Sequence, residues 1–186
     1  MYKSNKLVAL LLFAILILFS CENEPYEGPI PVTGVGNSLP VLNGEFKANF
    51  DGQTFVSTST TASKSSSNVI TIKATKTNGE IFDIKIPTNE VGAYNLDSNP
   101  TNFQLSYTPA SGILPFTAQS DDTGAFSDFP DYTDTSQIVI TNVDLTNKKI
   151  SGTFKFTGVK FANSSNTAIV TKVFTSGSFT NLTYTQ

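Results

Sequence analysis

NVITIKATKTNGEIFDIKI, residues 68–86, alternates apolar and polar side chains on either side of Thr77-Asn78-Gly79. Period-2 alternation marks a half-buried strand, and Asn-Gly between two such runs marks a hairpin. Which loop length applies follows from what each register does to the two faces. A three-residue loop, a type I turn followed by Gly79 in the left-handed conformation, sets Ala74 against Phe82, Ile72 against Ile84 and Ile70 against Ile86. The other face then pairs Lys73 with Asp83 and Thr71 with Lys85, and an opposite-charge pair of this kind contributes roughly 0.2–1 kcal/mol. A two-residue Asn-Gly loop instead sets Ile72 against Lys85 and Lys73 against Ile84, mixing the faces throughout. The three-residue loop is therefore expected, with Ile81 on the polar face and the Lys76/Glu80 pair closing the loop end of the apolar one.

Working outward, the chain from 45 onward is rich in Thr, Ser, Val, Ile and Phe and shows no 3.6-residue apolar stripe. Candidate strands are 45–50, 54–58, 68–76, 80–86, 102–108, 137–143, 150–159, 168–175 and 178–185. Asp51-Gly52 and Ser176-Gly177 read as further hairpin turns, the second bringing Phe174 opposite Phe179 across a two-residue loop. The Ser/Thr-rich stretch 57–68 reads as a flexible hairpin connection. Strands joined by tight turns without crossover helices predict an all-β domain, an antiparallel β-sandwich or barrel built from hairpins.

The N-terminus has a different character. Lys3 and Lys6 precede an uninterrupted apolar run over 7–19, with small Ser20 where a signal peptidase would cut. That run is shorter than the roughly 20 residues a membrane-crossing helix needs, so a signal peptide over 1–20 is expected. Cys21 is the single cysteine of the chain. From 22 to 44, Pro25, Pro29, Pro31 and Pro40 alternate with Gly28, Gly34, Gly36 and Gly44, the composition of a tether. The expected organisation is a signal peptide at 1–20, Cys21 with a Pro/Gly-rich flexible tether at 21–44, and a single β domain at 45–186.

Composition excludes several function classes. Losing Lys3 and Lys6 leaves 10 of the 12 lysines against 15 acids, a net charge of about −5, which argues against a nucleic-acid partner. All basic residues are lysine, so the bidentate fork of arginine is absent. The absence of histidine removes Ser-His-Asp and Cys-His catalysis, and with Cys21 at the cleavage site it also removes the usual ligands of zinc, copper, haem and iron-sulfur clusters. Two-carboxylate glycoside chemistry and all-oxygen calcium sites remain open. The balance favours a non-enzymatic chain.

Leu18-Phe19-Ser20-Cys21 resembles the lipobox of bacterial lipoproteins, with Phe19 where a small residue is usual, as in the looser lipoboxes of Bacteroidetes. The resemblance implies that Cys21 becomes the first mature residue and carries a diacylglyceryl thioether and an amide-linked acyl chain such as palmitate, multiple chains giving stable membrane anchoring. Glu22, Glu24 and Glu27 resemble the acidic signal for export to the outer face of the outer membrane. Phe46 through Asp51-Gly52 to Phe55, then Gly92-Ala93-Tyr94, Gly152-Thr153-Phe154-Lys155-Phe156 and Thr175-Ser176-Gly177-Ser178-Phe179, resemble an uncharacterised family of small β-rich Bacteroidetes lipoproteins. What the resemblances imply is a lipid-anchored outer-membrane protein facing the cell surface, with no catalytic residues to carry over.

Charge singles out the candidate site. Between Lys85 and Lys148 there is no basic residue, and Asp121, Asp122, Asp128, Asp131 and Asp134 are interleaved there with Phe126, Phe129 and Tyr132. Three readings compete: a solvated loop whose aromatics pack on the sheet edge, a calcium-stabilised loop held by the five aspartates, and a ligand-contacting surface built from Phe126, Phe129 and Tyr132. At least one of the three aromatics is expected to be buried, because so acidic a loop needs an apolar anchor. Lys155, Lys160 and Lys172 read as the solvent face of amphipathic strands, with a basic patch for anionic polysaccharide as the alternative. The functional expectation is a lipid-anchored binding or structural module for an extracellular glycan or protein. The alternative is a glycan-active hydrolase using two aspartates of 121–134.

Overall fold

The computed structural model describes residues 44–112 and 114–186. The expected signal peptide, Cys21 and all of the expected tether but Gly44 lie outside the described residues. Among the described residues there is no helix. The strands are β1 (Glu45–Phe50), β2 (Gln53–Val56), β3 (Ser59–Lys64), β4 (Ile70–Thr75), β5 (Ile81–Ile86), β6 (Gly92–Tyr94), β7 (Gln104–Thr108), β8 (Phe116–Thr117), β9 (Gln137–Asp144), β10 (Lys149–Phe161) and β11 (Ile169–Thr185).

They form one 11-stranded sheet in the order β2-β1-β11-β3-β4-β5-β7-β8-β10-β9-β6, and a further pairing of β10 with β11 joins the sheet to itself. The run from β11 through β3, β4, β5, β7 and β8 to β10 therefore closes as a barrel. Closing a sheet removes the unpaired edges that invite aggregation. All pairings are antiparallel but one: Tyr184 and Thr185 of β11 lie parallel to Ala62 and Ser63 of β3.

The β4–β5 hairpin has the register expected from its faces: Ile70 opposite Ile86, Ile72 opposite Ile84, Lys73 opposite Asp83 and Ala74 opposite Phe82. Gly79 has φ +91°, and its N–H donates to the Lys76 carbonyl at 3.0 Å, closing the type I turn. The Lys76/Glu80 pair is a salt bridge of 3.2 Å, and Glu80 also accepts the Tyr107 hydroxyl at 2.5 Å. Asp51-Gly52 is the expected two-residue turn, both residues at positive φ, between Phe50 and Gln53.

The stretch 57–68 departs from expectation: its residues 59–64 form β3, paired along its whole length with β4. Only Ala62 of β3 is buried, so the strand carries no large apolar alternation to be read. Ser176-Gly177 is not a turn either. It lies inside β11, where Gly177 faces Ala48 on one side and Phe154 on the other. Phe174 therefore pairs with Phe50 and Phe156, and Phe179 with Phe46 and Gly152. Glycine is needed at 177 for space, because a Cβ there would overlap the Phe154 ring. The same arrangement recurs at Gly152, where a Cβ would lie 2.5 Å from Phe179 Cζ. The core is correspondingly aromatic, with Phe156 stacked on Phe174 at 4.3 Å and Phe46, Phe50, Phe55, Phe82 and Tyr107 packed around them.

Candidate functional site

The acidic loop is the long connection from β8 to β9, and Tyr132 is its anchor. Tyr132 is 3% exposed; its hydroxyl donates to the Gln119 carbonyl at 2.8 Å and accepts the Gln119 N–H at 3.0 Å. Burial pushes the Tyr132 hydroxyl up to about 12, with Asp134 and Asp121 adding to the effect and the Gln119 backbone opposing it. One of the three aromatics is thus buried as expected.

Phe126 and Phe129 are half-buried and pack outside the barrel, on the end of β10. Phe126 stacks on Phe161 at 4.6 Å with the rings 20° apart, and Phe129 meets the same ring edge-on at 6.1 Å. Phe161 was not singled out by sequence reasoning. Its signal is weak, because it simply follows the alternating run of β10.

The aspartates divide. Asp121 and Asp134 are brought together, the Asp134 N–H donating to Asp121 Oδ2 at 3.0 Å. Asp134 accepts the Ser136 N–H at 2.9 Å and the Ser136 hydroxyl at 2.7 Å. Burial raises its pKa, the Ser136 hydrogen bonds oppose this, and the charges of Asp97 and Asp121 add to the rise. Asp122, Asp128 and Asp131 stand exposed. Among the described residues no three His, Cys, Asp or Glu side chains converge as a metal-holding group.

A cleft of about 590 Å³ opens where β8 ends beside β10. Thr117 pairs with Val159, and among the described residues this is the single ladder pair of β8 with β10. Leu114, Pro115, Phe126 and Phe161 line it together with Lys160 and the tip of the β10–β11 hairpin. That tip is held by the Ala162 N–H to the Ala168 carbonyl at 2.8 Å and by Asn163 Oδ1 accepting the Thr167 N–H at 3.2 Å. Leu114 is 53% exposed. A mostly apolar cleft with a few polar groups at its rim is the usual form of a ligand site. A second cleft of about 610 Å³, with Asp97 and Asp122 among its lining residues, lies on the other side of Thr117 and Gln119 and is the more polar of the two.

The lysines of β10 and β11 also depart from the sequence reading. Lys155 is exposed as expected, but Lys160 and Lys172 lie on the same face of the hairpin as Phe156 and Phe174. The Lys160 ammonium sits 4.4 Å from the centre of the Phe116 ring, and that of Lys172 5.1 Å from the centre of the Phe50 ring. Lys172 is also paired with Asp51. At the mouth of the barrel the apolar interior ends, and long lysine stems cover aromatic rings while their charges reach water.

Residues 42–183 match a family model described as "Domain of unknown function (DUF6252)". The chain belongs to this family. The match covers the whole sheet but for its last residues and agrees with the sequence-level likeness to an uncharacterised family. No curated protein and no solved structure is significantly similar to the chain.

Proposed function

We propose that this member of the family is a lipid-anchored binding module of the cell envelope, attached through acyl chains on Cys21 to the outer membrane, facing the cell surface and contacting an extracellular glycan or protein. The cleft carries the reading. Phe126 and Phe161 offer partly exposed rings beside Leu114, and carbohydrate and peptide ligands both use such rings as apolar contacts. The lipobox-like sequence before Cys21 and the Pro/Gly-rich stretch after it support the anchor and its reach from the membrane.

Two measurements test this reading. Mass spectrometry of the mature protein should find Cys21 acylated, and an unmodified Cys21 would remove the anchor. A glycan array probed with the protein should give hits that Phe161→Ala abolishes while the variant stays folded. Hits indifferent to Phe161→Ala would place binding elsewhere.

The alternative, a glycan-active hydrolase using two aspartates, draws on the closeness of Asp121 and Asp134 and the raised pKa of Asp134. Its weakness is that Asp134 is occupied by Ser136 and one Asp121 oxygen by a backbone N–H. Release of reducing ends from an array-positive glycan, lost in Asp134→Asn, would favour it.

A further inference from the structure

We infer that the ligand of the cleft is an acidic saccharide, a uronate-bearing oligosaccharide whose carboxylate is held by Lys160. The inference rests on the reading of the cleft as a glycan-binding surface and names the class of glycan. Charge carries it. Phe126 brings the most acidic loop of a chain with an excess of acids to the cleft, yet no lining residue is acidic and the one charge on the lining is Lys160. Among the described residues Lys160 has no salt-bridge partner, whereas Lys172 beside it is matched by Asp51. Its ammonium is nevertheless not adrift, being seated 4.4 Å from the centre of the Phe116 ring. A cation held in place without a counter-charge, at the edge of an apolar cleft, matches an anionic group on an otherwise uncharged ligand.

The remaining groups fit a sugar. Phe126 and Phe161 are stacked on each other at 4.6 Å, so the apolar surface they offer to a pyranose ring is that of their outer faces and edges. Gln119, Ser164 and Asn166 line the rim, and among the described residues their side-chain amides and hydroxyl make no hydrogen bond of their own, so they can meet hydroxyls. The volume of about 590 Å³ lies within the ~300–1,000 Å³ usual for ligand sites. A single lysine cannot make the bidentate contact of arginine, so the expected binding is modest in strength and weakens with salt.

The test is isothermal titration of the full-length protein with hexagalacturonate and, as the uncharged probe, with xylohexaose, for the wild type and for Lys160→Gln, Lys160→Arg and Lys155→Gln. Hexagalacturonate should bind, Lys160→Gln should weaken it by about tenfold or more, Lys160→Arg should retain it, and Lys155→Gln, which removes an exposed charge from the same strand, should change little. Equal losses in Lys160→Gln and Lys155→Gln would mean diffuse attraction and overturn the inference. Xylohexaose binding as well as hexagalacturonate, indifferent to Lys160→Gln but lost in Phe161→Ala, would overturn the acidic class and leave the glycan-binding cleft standing. Binding of neither hexasaccharide would overturn the inference, and an empty array besides would remove the glycan-binding cleft as well.

Discussion

Gly177→Ala tests, by the sign of its effect, whether the Phe154 ring lies over Gly177 in β11. Gly177 does not have positive φ, so alanine meets no backbone penalty there. In an open strand position the substitution would stabilise by about 0.4–1 kcal/mol through the unfolded state. In β11 the new methyl group would approach three ring atoms of Phe154 well inside 3.0 Å, a separation that real Cβ contacts essentially never reach. The backbone cannot retreat, since Gly177 is paired with Ala48 on one side and Phe154 on the other, and the Phe154 ring is itself packed against Phe46 at 5.3 Å and Phe82 at 5.9 Å. Inserting a methyl into a packed core costs ~1–3 kcal/mol and occasionally more, and a site confined on both edges belongs at the top of that range, so the expected destabilisation is about 3 kcal/mol. Equilibrium urea unfolding of residues 42–186 measures it. A cycle with Phe154→Leu tests the cause, because a smaller side chain should relieve the clash and give a coupling of about 1–3 kcal/mol. A neutral or stabilising Gly177→Ala, or additivity with Phe154→Leu, would refute the aromatic-over-glycine pairing.

The remaining predictions use the same unfolding assay. Gly79→Val should cost more than about 1 kcal/mol, because a β-branched residue resists the φ of +91° that the three-residue loop requires; a smaller cost would argue against that loop. Tyr107→Phe should cost about 1–3 kcal/mol by taking a hydroxyl partner from nearly buried Glu80. Burial opposes the charge of Glu80, but Tyr107, Asn78 and Lys76 together hold its pKa below the usual value, so its contribution is present above the unfolded carboxylate pKa and lost as pH falls through the folded one; Tyr107→Phe should shrink that acid-side loss, and an unchanged profile would count against the network. Asp134 behaves oppositely: its raised folded pKa gives stability at low pH that is lost as pH rises through that value, and Asp134→Asn should remove this loss. Wild-type and Asp134→Asn profiles that run parallel would show that the carboxylate is not strained by its surroundings.

The hairpin of β4 and β5 was legible because one loop length alone keeps Ile70, Ile72 and Ala74 on a single face, and the wrong length mixes lysine with isoleucine. β11 was not, for a related reason. Its buried positions run Phe174, Gly177, Phe179, Leu182 and Tyr184, so the alternation changes phase twice. The register shifts between Phe154 and Phe156 and between Ile150 and Gly152 on β10 account for both changes as bulges of β11 at 175–176 and 180–181, opposite Lys155 and Ser151. In sequence, a bulge and a tight turn both look like a slip in period 2 beside small residues, and Ser176-Gly177 supplied the small residues for the wrong choice. What distinguishes them is the partner strand: only when β10 is in place do Gly177 and Gly152 appear as the spaces into which Phe154 and Phe179 fold.

The site was legible in its acidic half and hidden in its aromatic and basic half, and the difference lies in range. Clustered aspartates and the phenylalanines among them are neighbours in sequence, so 121–134 stood out at once, and one of its three aromatics was expected to be an anchor, the place Tyr132 takes. Phe161 reaches Phe126 from 35 positions away, and Lys160 becomes a special lysine only because Phe116 of β8 lies beneath it. Alternation along β10 places Lys160 on the same face as Phe154, Phe156 and Gly158, which by itself argued that the residue was inward-facing. Setting lysine on the solvent face followed its usual preference, but at the last turn of a barrel strand that preference is met from the inside face as well, because the interior ends there and water begins.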